Sequence, residues 1–243
     1  MRRGLGLLAV GLLASGCASA VGVSDRDAVI RSILGSTVQL RAEREGGGRK
    51  AASGVVLASD PKTGRYWILT TRHFLDPSGH QQVYVSTPGR KGRVKAAVSA
   101  VSPDIDLAVI EVEGLSLPPV KFREIVHLGD EVWVVAFPWG RRLTLVSGVV
   151  SQIVSEEGEL AVEGPVRMVD ASVSYGASGG GVFDATSGEL VGIVEGYRTA
   201  RVAIPEAPDR ALQVPIPGET TVISSRAILE FLAASGFEAL VPR

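Results

Sequence analysis

Cysteine, histidine and aromatic residues are scarce in this 243-residue chain, which has one cysteine (Cys17), three histidines (His73, His80, His127) and 5% Phe, Trp and Tyr. A single cysteine excludes an internal disulfide, so stability must come from a core, and a chain of this length with 45% apolar residues can bury one. No closely spaced histidine pair and no H-E-x-x-H stretch occurs, which sets aside a metal hydrolase; neither a metal nor a cofactor is expected. A charge surplus is missing as well. The formal net charge of −1 gives no basic surface for phosphate binding, so nucleic acid is not an expected partner.

Long hydrophobic runs are also missing. The one apolar stretch near the start, Leu5 to Leu13, follows two arginines and is shorter than the ~20 residues a membrane span needs, so it reads as an export signal. The residues Leu13-Ala14-Ser15-Gly16-Cys17 resemble a bacterial lipobox, with Ala14 where leucine is usual. That resemblance implies lipidation of Cys17 and a membrane anchor at the mature N-terminus, facing the periplasm or the exterior. Ala18 after it is compatible with an outer membrane. On that reading residues 1–17 are a lipoprotein-type signal peptide; the alternative is an ordinary signal cleaved at Ala18 to Ala20, which discards Cys17.

What is abundant is glycine, 29 residues, together with Val- and Ile-rich runs, a composition that favours β-structure. Residues 18–36 read as a tether and a short helix, capped at Ser24 or Asp25 and ending near Leu34. From Thr37 onward strands alternate with Gly-, Pro- and Asp-bearing turns: TVQLRAE, ASGVVLAS, YWILTT, QVYVST, RVKAAVSAV and LAVIEVE. A Pro-rich connection at 114–122 leads to a second series: EVWVVAFP, LTLVSGVVSQIV, ELAVEG, VRMVDASVS, GVFD and LVGIVEG. SSRAILEFLAASG has helical spacing, a serine cap and a closing glycine, and predicts a C-terminal helix over about 224–235.

The chemistry centres on VSYGASGGGVFD, residues 173–184. A glycine-flanked serine alone fits a turn as well as a nucleophile. It also matches G-x-S-x-G, but that elbow needs a helix after the serine and a histidine later in the chain. Here a hairpin pattern follows, and all three histidines precede Ser178. A serine hydroxyl needs a base and the base an orienting carboxylate. His73 follows an apolar strand, whereas His80 and His127 read as surface residues; Asp106, with Asp104 as competitor, opens another apolar strand.

ILTTRHF, DIDLAVIEV and DASVSYGASGGGVFD, in that order, resemble the catalytic motifs of trypsin-like serine peptidases, nearest to the bacterial HtrA/Deg branch. The resemblance extends through SGVVLAS, AFPWGRRLTLVSGVVS and GELVGIVEG, and covers about residues 37–235. It implies an all-β fold of two six-stranded antiparallel barrels flanked by the two helices, the first barrel about 37–113 and the second about 120–222, in a domain spanning 37–236. It implies a triad of His73, Asp106 and Ser178, an oxyanion hole from the N–H groups of Gly176 and Ser178, and protein or peptide substrates. Ser172, six residues before the nucleophile, falls at the base of the primary specificity pocket; carrying no charge, it implies cleavage after small or medium apolar residues.

Four features depart from that family: Ala177 where Asn or Asp is usual, Gly181 where proline is common, no expected PDZ domain after the C-terminal helix, and the N-terminal lipid site. Two competing readings are a protease-like scaffold that binds proteins at the cell envelope without cleaving them, and a subtilisin-like arrangement using Asp60. The second would demand alternating helices and strands, which the middle of the chain lacks.

Overall fold

The computed structural model describes residues 23–76, 81–204 and 207–241. Cys17, the signal segment and His80 lie outside them. The chain opens with helix α1 (Val23–Gly35), then runs through β1 (Thr37–Arg44), β2 (Arg49–Asp60), β3 (Arg65–Thr70), β4 (Gln81–Ser86), β5 (Val94–Val101) and β6 (Ala108–Glu113). After a linker come β7 (Val126–His127), β8 (Glu131–Ala136), β9 (Thr144–Ile153), β10 (Glu163–Gly164), β11 (Val166–Asp170), β12 (Gly181–Asp184), β13 (Leu190–Ile204) and β14 (Ala207–Ser224), and then helix α2 (Ser225–Ala234).

The strands close into two six-stranded antiparallel barrels, β1-β2-β3-β6-β5-β4 and β11-β14-β13-β12-β8-β9, as the sequence led one to expect. In β1 the period-2 pattern sends Val38, Leu40 and Ala42 inward, while Gln39 and Arg41 face out. That inner face joins Ile68, Val83, Val85 and Ile110 in the first barrel's core. Val132, Val134, Val150, Val169, Val182 and Val194 fill the second.

A third apolar cluster cements the halves. Leu57, Leu69 and Val109 of the first barrel meet Val135, Phe183 and Ile193 of the second, with Ile33 of α1 and Ile228, Phe231 and Leu232 of α2 wedged against them. Both helices therefore sit where the barrels join. In α2 the Ser224 hydroxyl accepts from the Ala227 N–H at 3.3 Å, the expected serine cap. Helix α1 starts earlier than its sequence suggests, so Asp25 lies in the first turn rather than at the cap, where a carboxylate complements the helix dipole.

Two of the second-series strands need correction. ELAVEG contributes only the two residues of β10, which pair with β7 outside the barrel, and Leu160 and Val162 are exposed. The sixth barrel strand is β14, which the sequence reading passed over. It pairs with β13 beyond the barrel, Val202 opposite Leu212 and Thr199 opposite Pro215, and the side chains of residues 212–215 are exposed. Prolines and exposed faces erase the alternation by which a half-buried strand is recognised.

Candidate active site

His73 sits in a single 3-10 turn (Arg72–Leu75) at the exit of β3, fixed by the buried side chains of Phe74 and Leu75. Asp106 lies at the entry to β6. Its turn is tightly wired: Ser102 Oγ accepts from the N–H groups of Asp104 and Ile105, and the Arg72 guanidinium donates to the carbonyls of Ser102 and Pro103, both at 2.8 Å. Pairing of β3 with β6 then brings the two side chains together. Asp106 Oδ2 lies 2.6 Å from His73 Nδ1, and its Oδ1 accepts the His73 backbone N–H at 2.8 Å. With its side chain 18% exposed against 49% for the imidazole, the carboxylate holds the ring through Nδ1 and leaves Nε2 without a hydrogen-bond partner among the described residues. Asp104, the competitor, is exposed.

Ser178 is carried between β11 and β12 on a turn whose geometry is set by Gly176. The Ala177 N–H donates to the Ser174 carbonyl at 3.0 Å, and Gly176 has φ +90°, as a type II turn requires at its third residue. A β-carbon at Gly176 would fall 2.8 Å from the Trp139 nitrogen, so only glycine fits. Among the described residues, neither the Gly176 N–H nor the Ser178 N–H donates to a protein acceptor, which leaves a pair of donors beside the serine. Neither His73 Nε2 nor Ser178 Oγ is hydrogen-bonded there either; in substrate-free sites this contact is commonly long.

The residue that links the serine turn to the strand leading to His73 passed unnoticed in the sequence. Ser53 of β2, fully buried, donates its hydroxyl to the Gly176 carbonyl at 2.8 Å and accepts the Phe137 N–H at 2.8 Å. Its backbone N–H donates to the Ser178 carbonyl at 2.8 Å, and its carbonyl accepts from Thr70 Oγ1 at 2.8 Å. Thr70 is three residues before His73. Gly179 presses on the same point, where a β-carbon would lie 2.2 Å from the Ser53 carbonyl oxygen. The detectable signal was a lone hydroxyl inside a buried apolar strand. Trp139, in the AFPWGRRLTLVSGVVS stretch, adopts φ +56° and donates its N–H to the Tyr175 carbonyl at 2.6 Å. Ala177 adds only a buried methyl.

Ser172 is exposed and borders two hollows. One, of about 170 Å³, is lined by Val173, Tyr197, Ile216, Gly218 and Thr220; the other, of about 320 Å³, lies beneath the serine turn against Val134, Ala136, Val146 and Ala177. The remaining titratable candidates serve elsewhere. His127 pairs with Glu163 at 3.1 Å on the surface β7–β10 ladder. Asp60 closes a turn, accepting from the Lys62 N–H and from Thr63 Oγ1, whose hydrogen bond foremost holds its carboxyl below the usual range, so it takes no part in a subtilisin-like triad.

Two antiparallel barrels with an Asp-oriented histidine and a glycine-set serine turn between them define a two-barrel serine-hydrolase architecture. Residues 52–193, more than half of the chain, match the family described as Trypsin-like peptidase domain, and the chain belongs to that family. It is 30% identical to the serine endoprotease DegS of Escherichia coli over 153 residues, 60% of this chain and 39% of that protein. It is also 30% identical to a probable periplasmic serine endoprotease, DegP-like, of Pseudomonas fluorescens over 156 residues, 63% of this chain and 30% of the relative. The match thus spans less than two fifths of these relatives' length. The same fold recurs in the active form of the Rv3671c protease from M. tuberculosis, with TM-score 0.63 and 22% identity over 90% of this chain and 87% of that one. It recurs again in the HtrA-type protease AlgW with tripeptide, with TM-score 0.64 and 21% identity over 88% of this chain and 64% of that one.

Proposed function

We propose that the protein is an exported serine endopeptidase that hydrolyses peptide bonds through His73, Asp106 and Ser178, held at the cell envelope by a lipid on Cys17. The observation that carries the reading is the 2.6 Å Asp106–His73 contact in the same molecule as a serine turn presenting two free N–H groups. In the reaction, Ser178 Oγ attacks the scissile carbonyl as His73 Nε2 takes its proton. The oxyanion is met by the Gly176 and Ser178 N–H groups, and the imidazolium, stabilised by Asp106, passes the proton to the leaving amine. Water then repeats the sequence to release the acyl group. The family to which the chain belongs, and a periplasmic relative, support peptidase chemistry and export. The inactive-scaffold reading gains nothing from an oriented histidine and a turn with free donors.

The 170 Å³ hollow beside Ser172, walled by Val173, Ile216 and Tyr197, suits a small or medium apolar side chain before the scissile bond. A panel of peptides varied at that residue tests both parts. The expectation is cleavage after Ala, Val or Leu, abolished in Ser178→Ala. A strict preference for arginine would overturn the pocket assignment and point instead to Asp170, whose carboxylate lies against Gly218.

A further inference from the structure

A further depression of about 560 Å³ runs between the first barrel and the segment after β8. Its walls are Gln39 of β1, Thr87 and Arg90 in the β4–β5 turn, and Phe137, Arg141 and Arg142. Although the chain carries a net charge of −1, this face is basic. Arg90, Arg141 and Arg142 are exposed and form no ion pair among the described residues, whereas Arg65 and Arg123 each have two carboxylate partners. Lys91 and Lys95 extend the charge along β5 and its turn. No acidic residue lines the depression, and Glu43 of β1 is engaged by Arg93 and Arg49, the Arg93 hydrogen bond in particular holding its carboxyl below the usual range.

The depression is anchored to the catalytic machinery. The Arg141 carbonyl accepts from Gln39 Nε2 at 3.4 Å, Gly140 packs onto Ala51 of β2, and Phe137 is bonded through Ser53 to the Gly176 carbonyl. Lys50, beside Ala51, donates to the His73 carbonyl at 3.1 Å. The segment that carries Arg141 and Arg142 is therefore tied to the strand that also contacts the His73 carbonyl and the serine turn. The hollows at Ser172 share no lining residue with it.

We infer that this depression is a subsite for the part of the substrate C-terminal to the scissile bond, and that it selects acidic residues there. Guanidinium groups without partners on a concave surface attract carboxylates both at encounter and in the bound state, and Arg geometry suits bidentate contact. The concavity, and the hydrogen bonds that tie its Gln39 and Phe137 walls to the segments around the serine turn, favour a peptide over a flat anionic lipid surface. This inference deepens the peptidase reading and rests on it.

The test uses quenched fluorescent peptides with one common N-terminal half and Asp, Asn or Lys at successive positions after the scissile bond. At low salt we expect kcat/KM for the Asp peptides to exceed that for the Asn peptides by roughly tenfold, and the ratio to fall toward one near 1 M salt. In the Arg90→Gln, Arg141→Gln, Arg142→Gln triple variant the Asp-to-Asn ratio should be close to one; being internal to each protein, it does not depend on how much enzyme is folded. Equal rates in the wild type, a preference for Lys, a preference that survives in the triple variant, or one that appears only when the acids precede the scissile bond would each overturn the assignment. Capture of the protein by phosphatidylglycerol vesicles without discrimination among peptides would do the same. Should no peptide be cleaved, the peptidase reading fails separately, and the subsite is judged by fluorescence anisotropy of the same peptides on Ser178→Ala protein: about tenfold tighter binding of Asp over Asn peptides upholds it, and equal binding ends it.

Discussion

Ser53 shows how much of this site depends on a residue with no chemistry of its own. Its hydroxyl bridges the Gly176 carbonyl and the Phe137 N–H, and removing it would leave both groups unpaired in a dry environment, a cost of about 1–3 kcal/mol. The turn would then lose one of the contacts that keep the Gly176 N–H aimed outward, and Ala177 contributes no polar contact to replace it. We expect Ser53→Ala to lower kcat roughly tenfold to a hundredfold while KM changes little, because the oxyanion exists only in the transition state. Steady-state kinetics on one peptide, alongside a thermal melt, checks this. An equal loss in kcat and folded fraction would mean that Ser53 serves stability alone. His73, Asp106 and Ser178 stood out in the sequence because each sits in a motif. Ser53 did not, because its partners come from positions 84 and 123 residues away.

At the scale of elements, the turns between strands fix the register that the site needs. Asp184, at the end of β12, is nearly buried; Oδ1 accepts the Thr186 and Ser187 N–H groups, and Oδ2 pairs with Arg123. Arg123 also holds Asp130 at 3.0 Å and the Ile125 carbonyl at 3.0 Å, so one guanidinium ties the inter-barrel linker to the β12–β13 turn. Asp184→Asn keeps the shape but removes the charge opposite Arg123, and should cost about 2–3 kcal/mol, less than a fully buried pair because Arg123 is 30% exposed. Urea unfolding measures it, and a change below about 0.5 kcal/mol, the range of an ordinary surface substitution, would contradict the role. Most strands were legible because alternation and turn residues mark a half-buried ribbon, as in β1. The outer half of β13–β14 was not, since a ribbon exposed on both faces has no inward pattern, and β14 carries Pro215 and Pro217.

The whole molecule is two barrels sharing an apolar seam, with His73 and Asp106 on one half and Ser178 on the other. In the mechanism we propose, cohesion at the seam is therefore a condition for catalysis. Ile33 and Phe231 close it from the two helices, and Ser53 crosses it with hydrogen bonds to the serine turn. The arginine-lined depression also spans it, built from β1 and the β4–β5 turn on one side and the segment after β8 on the other. The order of His, Asp and Ser along the chain was readable in advance, yet the serine turn is held to the first barrel by contacts between residues more than a hundred positions apart, Ser53 with Gly176 and Ser178, which no local pattern encodes. The central claim is that these halves assemble into one armed nucleophile. The most direct measurement is reaction of the folded protein with a fluorophosphonate, the modified residue located by mass spectrometry, in the wild type and in His73→Ala. The account predicts modification of Ser178 alone, at a rate at least a thousandfold lower in His73→Ala. A folded protein in which Ser178 stays unmodified, or reacts equally fast without His73, would contradict it.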